Sequence, residues 1–352
     1  MSSPIPVVYV FYGADEPTLK EKLTEFCKKA IDPAMADLNT TKLEGATAEL
    51  GDIQSAARTL PFLAETRLIL VDNITESNGG RGVIDEMAKF IPTLPDWARV
   101  VFIETGMQDS NQDSDSVRKR KASRRTALKR LIGLVEKDPR GKVYEFALPN
   151  DPRKWLAQRA ALHGAEIDGY AANVLAERVG EDLVLADTEL TKLAAYTNGE
   201  RPISAADVEL LTPFTPEANI FHMVDAIGKR EGREAITLLE QLLDAGDEPL
   251  RLFSMIVRQF RLLLMMREHL DNGGTPNNAA QALGLNDFVA KKIAEQARRY
   301  SIEQLERIYH FLLETDVAMK GGVGDEDLFG KTIDRLDPAL ALEEFIVRLA
   351  AR

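Results

Sequence analysis

The chain has 352 residues, of which 45% are apolar and 28% charged, so it can fill real cores and wholesale disorder is excluded. One cysteine excludes a disulfide framework or a cysteine-rich zinc site, and the four histidines show no metal-ligand spacing. The N-terminal sequence lacks the features of a secretory signal, so we expect a soluble cytoplasmic protein of two or three domains.

The net charge of -12 argues against nucleic acid as a partner, but the charge is unevenly distributed. Residues 116–135 contain eight basic residues and no acidic one. The chain therefore carries one concentrated positive segment within an acidic protein.

Strands alternating with helices are predicted in the first 147 residues. Four short β-branched or aromatic runs have the composition of buried strands: 7–11, 68–71, 100–103 and 143–147. Helical patterns lie between them, for instance at 18–30 and 82–91. The alternation predicts an α/β domain with a mostly parallel sheet that is covered on both faces. The polar stretch 108–115 is predicted to be a mobile loop.

Only helical patterns follow residue 148. Asp151 and Pro152 are typical of a helix start, as N-cap and first helical residue. Further helices are predicted at 151–162, 169–179, 183–197, 204–211, 218–229, 232–245, 248–270, 286–299, 301–320 and 339–350. Pro213 and Pro216 frame a linker. We therefore predict an α/β domain at 1–147, a small helical domain at 148–213 and a helical bundle at 214–352.

A phosphate-binding loop is expected after the first strand of such a domain, but its residues are missing. The motif requires a second glycine, a lysine and a hydroxyl residue, where this chain has Thr18, Leu19 and Lys20. Pro17 also removes a backbone donor. The stretch 13–16 instead has the composition of a turn that caps the first helix. We predict no nucleotide hydrolysis, and no catalytic residue, cofactor or metal site.

Four segments together resemble the delta subunits of bacterial DNA polymerase III clamp loaders. They are a strand followed by Tyr-Gly and an acidic pair at 7–16, Leu-Pro with two large apolar residues and a strand at 60–71, a late helix at 288–299, and a helix with Asp and Lys-Gly at 313–321. Their order and spacing across all three predicted domains carry the resemblance.

The resemblance implies a three-domain protein with an AAA+-like, P-loop-type first domain and no nucleotide site. Its first domain is expected to bind and open the ring-shaped sliding clamp, the beta subunit, and its C-terminal domain to form a collar with the gamma/tau and delta-prime subunits. Primed DNA is a further expected partner and a membrane is not. The chain is expected to lack its own active site within a nucleotidyltransferase holoenzyme.

The resemblance also assigns clamp binding to Leu60, Phe62 and Leu63. Opening a ring requires exposed apolar anchors, because such side chains supply most of the energy of an interface. The alternative is that Phe62 and Leu63 pack in the core of their own domain.

The basic segment has two interpretations. It could follow the phosphates of primed DNA without reading sequence, since it lacks stacking aromatics. Alternatively, it is a solvated helix docked by Ala127, Leu128 and Leu131. The candidate phosphate contacts are Arg118, Lys119, Arg120, Lys121, Arg124 and Arg125.

Two other functions remain open. Residues 278–297 have the pattern of a helix-turn-helix, which would make the chain a DNA-binding regulator, with basic residues at 291, 292, 298 and 299. An active AAA+ ATPase is the third possibility.

Overall fold

The computed structural model describes residues 5–76, 80–107, 115–180, 182–283, 285, 287–320 and 335–350. The chain divides into two units, Met1–Leu148 and Pro149–Arg352. The predicted further division at residue 213 stays a prediction.

The first unit alternates strands with helices, as the sequence predicts. Its elements are β1 (Val8–Gly13), α1 (Glu16–Ala30), α2 (Ala36–Asn39), β2 (Thr40–Glu44), α3 (Leu50–Arg58), β3 (Arg67–Asp72), α4 (Gly80–Phe90), β4 (Ala98–Glu104), α5 (Asp115–Lys137) and β5 (Gly141–Phe146). Asp15 caps α1, where its carboxylate accepts a hydrogen bond from the Thr18 N–H at 3.0 Å. Pro17 lies in the first turn of α1, where its missing N–H is not needed.

The five strands form one parallel sheet in the order β2-β3-β4-β1-β5. Val8 of β1 lies opposite Val100 of β4 on one side and Gly141 of β5 on the other. The three central strands are buried on both faces, because successive side chains alternate between the faces. The predicted α/β class with a parallel sheet is confirmed.

Helices cover both faces of this sheet. Val10 and Phe102 belong to a core formed with α3, α4 and α5. Phe11 and Ile103, their neighbours along the strands, belong to a second core with Leu19 of α1. One core therefore lies on each face of the sheet. Because the strands are parallel, the loops that follow them all leave the sheet at the same edge.

The sequence analysis missed the edge strand β2. Its sequence, TTKLE, is half-exposed and lacks the continuous apolar run of the central strands. An edge strand that is partly open to solvent does not need that run, so the pattern gave no signal.

The second unit is helical throughout its described residues, apart from one isolated parallel bridge between Ile167 and Ile203. Its helices are α6 (Pro152–Leu162), α7 (Gly169–Val179), α8 (Leu183–Thr197), α9 (Ala205–Leu211), α10 (Pro216–Lys229), α11 (Gly232–Asp244), α12 (Pro249–Asp271), α13 (Pro276–Leu283), α14 (Asp287–Ala297), α15 (Ile302–Lys320) and α16 (Pro338–Ala350). Asp151 caps α6 as predicted. The largest core of this unit lies around α12, whose Phe260 and Leu263 are fully buried among α10, α14, α15 and α16. No helix among the described residues combines the length and apolar character that crossing a membrane requires.

Candidate functional site

The loop between α3 and β3 presents the three residues that the sequence analysis assigns to a partner. Leu60, Phe62 and Leu63 expose 68%, 57% and 76% of their surfaces. The alternative, that Phe62 and Leu63 pack in the core of their own unit, is wrong. Three large apolar side chains exposed within four residues are typical of an interaction surface.

Hydrogen bonds attach the C-terminal end of this loop to the rest of the first unit. The Thr66 hydroxyl donates to the carbonyl of Ala30, at the end of α1. The Arg67 guanidinium donates to the carbonyls of Ala56, at 3.2 Å, and Leu38, at 3.5 Å. The loop therefore returns to the sheet at a fixed point.

A buried asparagine holds the middle of the loop. Asn39, the last residue of α2, is fully buried. Its Oδ1 accepts a hydrogen bond from the Phe62 N–H at 2.6 Å, and its Nδ2 donates to the Phe62 carbonyl at 2.9 Å. The same Nδ2 donates to the Met35 carbonyl at 3.0 Å. One side chain thus satisfies both backbone polar groups of Phe62, and the sequence analysis did not identify it.

Leu38 adds a further exposed apolar residue beside this contact. It exposes 58% of its surface and precedes Asn39 in the chain. Sequence analysis missed it as well, because it lies in a short helix that has no apolar repeat.

The basic segment forms α5, a long helix docked on the sheet. Leu128, Leu131 and Val135 are buried in the core of the first unit, as is Ala127. The predicted docking residues are therefore confirmed. On the N-terminal half of the helix, Arg118, Lys119 and Arg120 are exposed and Lys121 is half-exposed. These four residues, 118–121, form a basic surface, hereafter the basic tetrad.

Arg124 is not part of that surface, which corrects the sequence prediction. Only 5% of it is exposed. Its guanidinium forms an ion pair with Glu76 at 2.6 Å and lies 3.7 Å from the Glu104 carboxylate. It also donates to three oxygens, which are Asn73 Oδ1 at 2.9 Å, Thr105 O at 3.0 Å and Thr75 Oγ1 at 3.2 Å. With most of its donors engaged and its side chain buried, this guanidinium does not lie on the surface where a phosphate could bind.

Arg125 is also engaged with its own unit. Its Nε and Nη2 both donate to the Met107 carbonyl, at 3.1 and 2.9 Å. Arg124 and Arg125 therefore anchor α5 to the segments that follow β3 and β4. The predicted mobile loop, 108–115, lies outside the described residues except for Asp115.

Glu104, the last residue of β4, is a buried acid beside Arg124. It is 1% exposed, and its carboxylate accepts from the Thr75 N–H at 3.1 Å and the Thr75 hydroxyl at 2.6 Å. Burial raises the pKa of Glu104 to about 7, against the opposing effects of the Thr75 hydrogen bonds and the Arg124 charge. Glu104 is therefore a buried carboxyl group that titrates near neutral pH.

The turn after β1, where a phosphate loop would lie, is bonded to the neighbouring strand. The N–H groups of Ala14 and Asp15 both donate to the Phe146 carbonyl, at 2.8 and 2.9 Å. A side chain at Gly13 would collide with the same carbonyl. These two amides therefore already have a partner, and Leu19, at the position of the motif's lysine, is buried. Among the described side chains, no cluster of three potential metal ligands occurs.

The helix pair α13 and α14 has few exposed basic residues that could contact DNA bases. Lys292 forms an ion pair with Glu177 at 2.8 Å, and Arg299 pairs with Asp225. One face of α14 is buried, including Ile293. The two remaining basic residues, Lys291 and Arg298, are exposed. The helix-turn-helix pattern is explained by packing within the second unit.

Comparison with known proteins finds matches along most of the chain. The family model "DNA polymerase III, delta subunit" matches residues 9–127, and the model "DNA polymerase III delta subunit, C-terminal domain" matches residues 217–333. The DNA polymerase III subunit delta of Bacillus subtilis is 24% identical over 331 residues, which cover 91% of this chain and 90% of that protein. A probable DNA polymerase III subunit delta of Aquifex aeolicus is 22% identical over 159 residues, 45% of each chain.

One solved structure, that of the Bacillus subtilis DNA clamp loader delta protein, has the same fold. It superimposes with a TM-score of 0.65 at 23% identity, covering 99% of this chain and 96% of that chain.

Proposed function

This chain belongs to the DNA polymerase III delta-subunit family, and from that membership we propose that it binds the ring-shaped sliding clamp through the loop at 60–63 and helps to open it. The family models match about two thirds of the chain. The observation that carries the proposal is the exposure of Leu60, Phe62 and Leu63 on a loop whose backbone is tied down.

The exposed apolar side chains of the loop suit insertion into a pocket of the clamp. Apolar side chains held in water by the free protein gain free energy when a partner pocket takes them up, about 2 kcal/mol for each anchor. An aromatic side chain next to an aliphatic one can fill one such pocket. The loop offers no nucleophile or acid-base pair, so its action is binding rather than covalent chemistry.

We further propose that residues 148–213 form a small helical domain and residues 214–352 a collar that assembles with the gamma/tau and delta-prime subunits. The start of the C-terminal family model at residue 217 supports that boundary. The tight packing around α12 supports a collar with its own core. The complex would act on primed DNA in the cytoplasm.

The test compares the chain with its Phe62→Ala/Leu63→Ala variant for binding to the cognate sliding clamp. Because truncating two anchors typically costs at least 2 kcal/mol each, the affinity should fall on the order of a hundredfold or more. Thermal unfolding should not change, since neither side chain is buried. Isothermal titration and thermal melts measure the two quantities.

The matched control is Tyr170→Ala/Leu210→Ala, which also removes one aromatic and one aliphatic side chain, 68% and 69% exposed, from the second unit. It should bind the clamp as the unmodified chain does. Unchanged clamp affinity in the Phe62/Leu63 variant, or an equal loss in the control, would contradict the proposal.

A further inference from the structure

We infer that Asn39 is a positioning residue for clamp binding: its buried amide fixes the Phe62 backbone so that Phe62 and Leu63 are presented in one conformation before the clamp arrives. The inference rests on the proposed function of the loop. It adds a residue that never touches the clamp and acts through Phe62.

The Asn39 side chain forms hydrogen bonds with both backbone polar groups of Phe62. Asn39 Oδ1 faces the Phe62 N–H at 2.6 Å and Nδ2 faces the Phe62 carbonyl at 2.9 Å. The Asn39 amide carries an acceptor and a donor on one planar group, whereas an ionised aspartate carries acceptors only and could serve just one of the two contacts. The third bond, from Nδ2 to the Met35 carbonyl at 3.0 Å, fixes the orientation of the amide.

The fully buried position of Asn39 explains why the contact is rigid. No part of the side chain is exposed, so water cannot compete for its donors and acceptor. The loop that it holds is nevertheless exposed and irregular, with no strand or helix to order it. Phe62 is the residue of the loop at 60–65 whose backbone is hydrogen-bonded by the Asn39 side chain.

The residue that follows Phe62, Leu63, has an unusual backbone conformation. Its φ is 51°, in the left-handed region that a leucine rarely adopts. Such a conformation persists only where the surroundings impose it, and in ordered proteins these positions cluster at binding sites. Here the residue in that conformation is the most exposed member of the apolar loop and directly follows the residue that Asn39 holds.

Preordering the loop matters because a mobile loop would have to be ordered when the clamp binds. The entropy of fixing one or two backbone residues corresponds to a change in affinity of roughly ten- to a hundredfold. Removing the Asn39 amide therefore should weaken clamp binding by roughly tenfold or more, although the residue itself lies out of reach of any partner.

The experiment uses the full chain with Asn39→Ala and Asn39→Asp and measures clamp affinity, thermal unfolding and amide hydrogen exchange at Phe62. Both variants should bind the clamp more weakly, Asn39→Ala by roughly tenfold or more. The Phe62 amide should exchange faster in Asn39→Ala, whereas Asn39→Asp retains the acceptor for that amide. Ile53→Val is the control, because it removes a methyl group from a fully buried core residue of α3, which lies outside the loop.

A purely structural role for Asn39 makes a different prediction. Clamp affinity would then follow thermal stability, and Ile53→Val would weaken binding as much as an equally destabilised Asn39 variant. If Asn39→Ala is poorly folded, the same comparison is made with Asn39→Asp. Clamp binding that is unchanged in a folded Asn39 variant overturns the inference.

Combining Asn39→Ala with Phe62→Ala/Leu63→Ala separates the inference from the proposed function. Once the anchors are gone, the Asn39 change should cause no further loss of affinity, because it acts through them. If Phe62→Ala/Leu63→Ala weakens binding and Asn39→Ala does not, the inference fails and the proposed function stands. If neither weakens binding, the proposed function itself fails.

Discussion

Replacing Arg124 tests whether the basic helix is anchored by this residue or presents it to DNA. The substitution Arg124→Met keeps much of the apolar stem and removes every donor of the guanidinium. It leaves the Glu104 carboxylate, 1% exposed, without its cation, and removes donors from Asn73 and Thr105.

The expected cost follows from that burial. Removing one partner of a buried ion pair costs about 3–5 kcal/mol, because the other charge stays desolvated. The cost should be larger at pH 8 than at pH 5.5, since the pKa of Glu104 is about 7 and a protonated carboxyl tolerates burial better. The free energy of unfolding of the first unit should fall by that amount.

Urea unfolding with tryptophan fluorescence measures this loss in one unit at a time. The chain has two tryptophans, Trp97 in the first unit and Trp155 in the second. Introducing Trp155→Phe into every chain compared leaves Trp97 as the reporter of the first unit. With a slope of about 2 kcal/mol per molar urea, Arg124→Met should lower the midpoint by about 2 M at pH 8.

The control is Arg120→Met, on the same helix but exposed, which should change stability by less than about 0.5 kcal/mol. An Arg124→Met chain that unfolds at the midpoint of its parent but loses affinity for primed DNA would refute the anchoring role. It would return Arg124 to the phosphate contacts suggested by the sequence.

Two further predictions concern Glu104, the carboxylate beside Arg124, and the basic tetrad of α5. The pKa of Glu104 lies above its ordinary value of 4.5 in the folded chain, so the folded state holds the extra proton between about pH 4.5 and 7, and stability should decrease as the pH rises through that window, by at most about 3 kcal/mol. Glu104→Gln should remove that decrease in urea unfolding series from pH 5 to 8, and a slope equal to that of the unmodified chain would assign the titration to another group. Changing the basic tetrad, 118–121, to glutamine should reduce the salt dependence of primed-DNA binding by the loader complex, by up to about four in the slope of log affinity against log salt. An unchanged slope would identify the tetrad as a solvated surface.

The sequence was sufficient for the features that depend on local pattern. Buried central strands appear as continuous apolar runs, which is how β1, β3 and β4 were predicted; the fourth predicted strand is the edge strand β5, and all four have ends shifted by one or two residues. Asp151 was recognisable as a cap, and the stretch 13–16 as a capping turn, because the residues needed at a helix start are local. The exposure of Phe62 and Leu63 was different, since a run of apolar residues after a proline fits a core as well as a wedge.

Features that depend on distant residues left no pattern. Asn39 binds Phe62 across 23 positions, and Arg124 binds Asn73 across 51. A single asparagine at the end of a four-residue helix has no periodicity, and a buried arginine within a basic run looks like its exposed neighbours. Only the fold distinguishes Arg124, which points into the sheet edge, from Arg120, which is exposed.

The most direct test of the account is to locate the clamp on the surface of this chain. A photo-cross-linking amino acid is placed at Phe62 in one full-length chain and at Tyr170, which is also aromatic and exposed, in another. Irradiation with the cognate sliding clamp should cross-link the clamp from position 62 and not from position 170. A clamp cross-linked from position 170, or none cross-linked from position 62 while the complex is formed, would contradict the central claim.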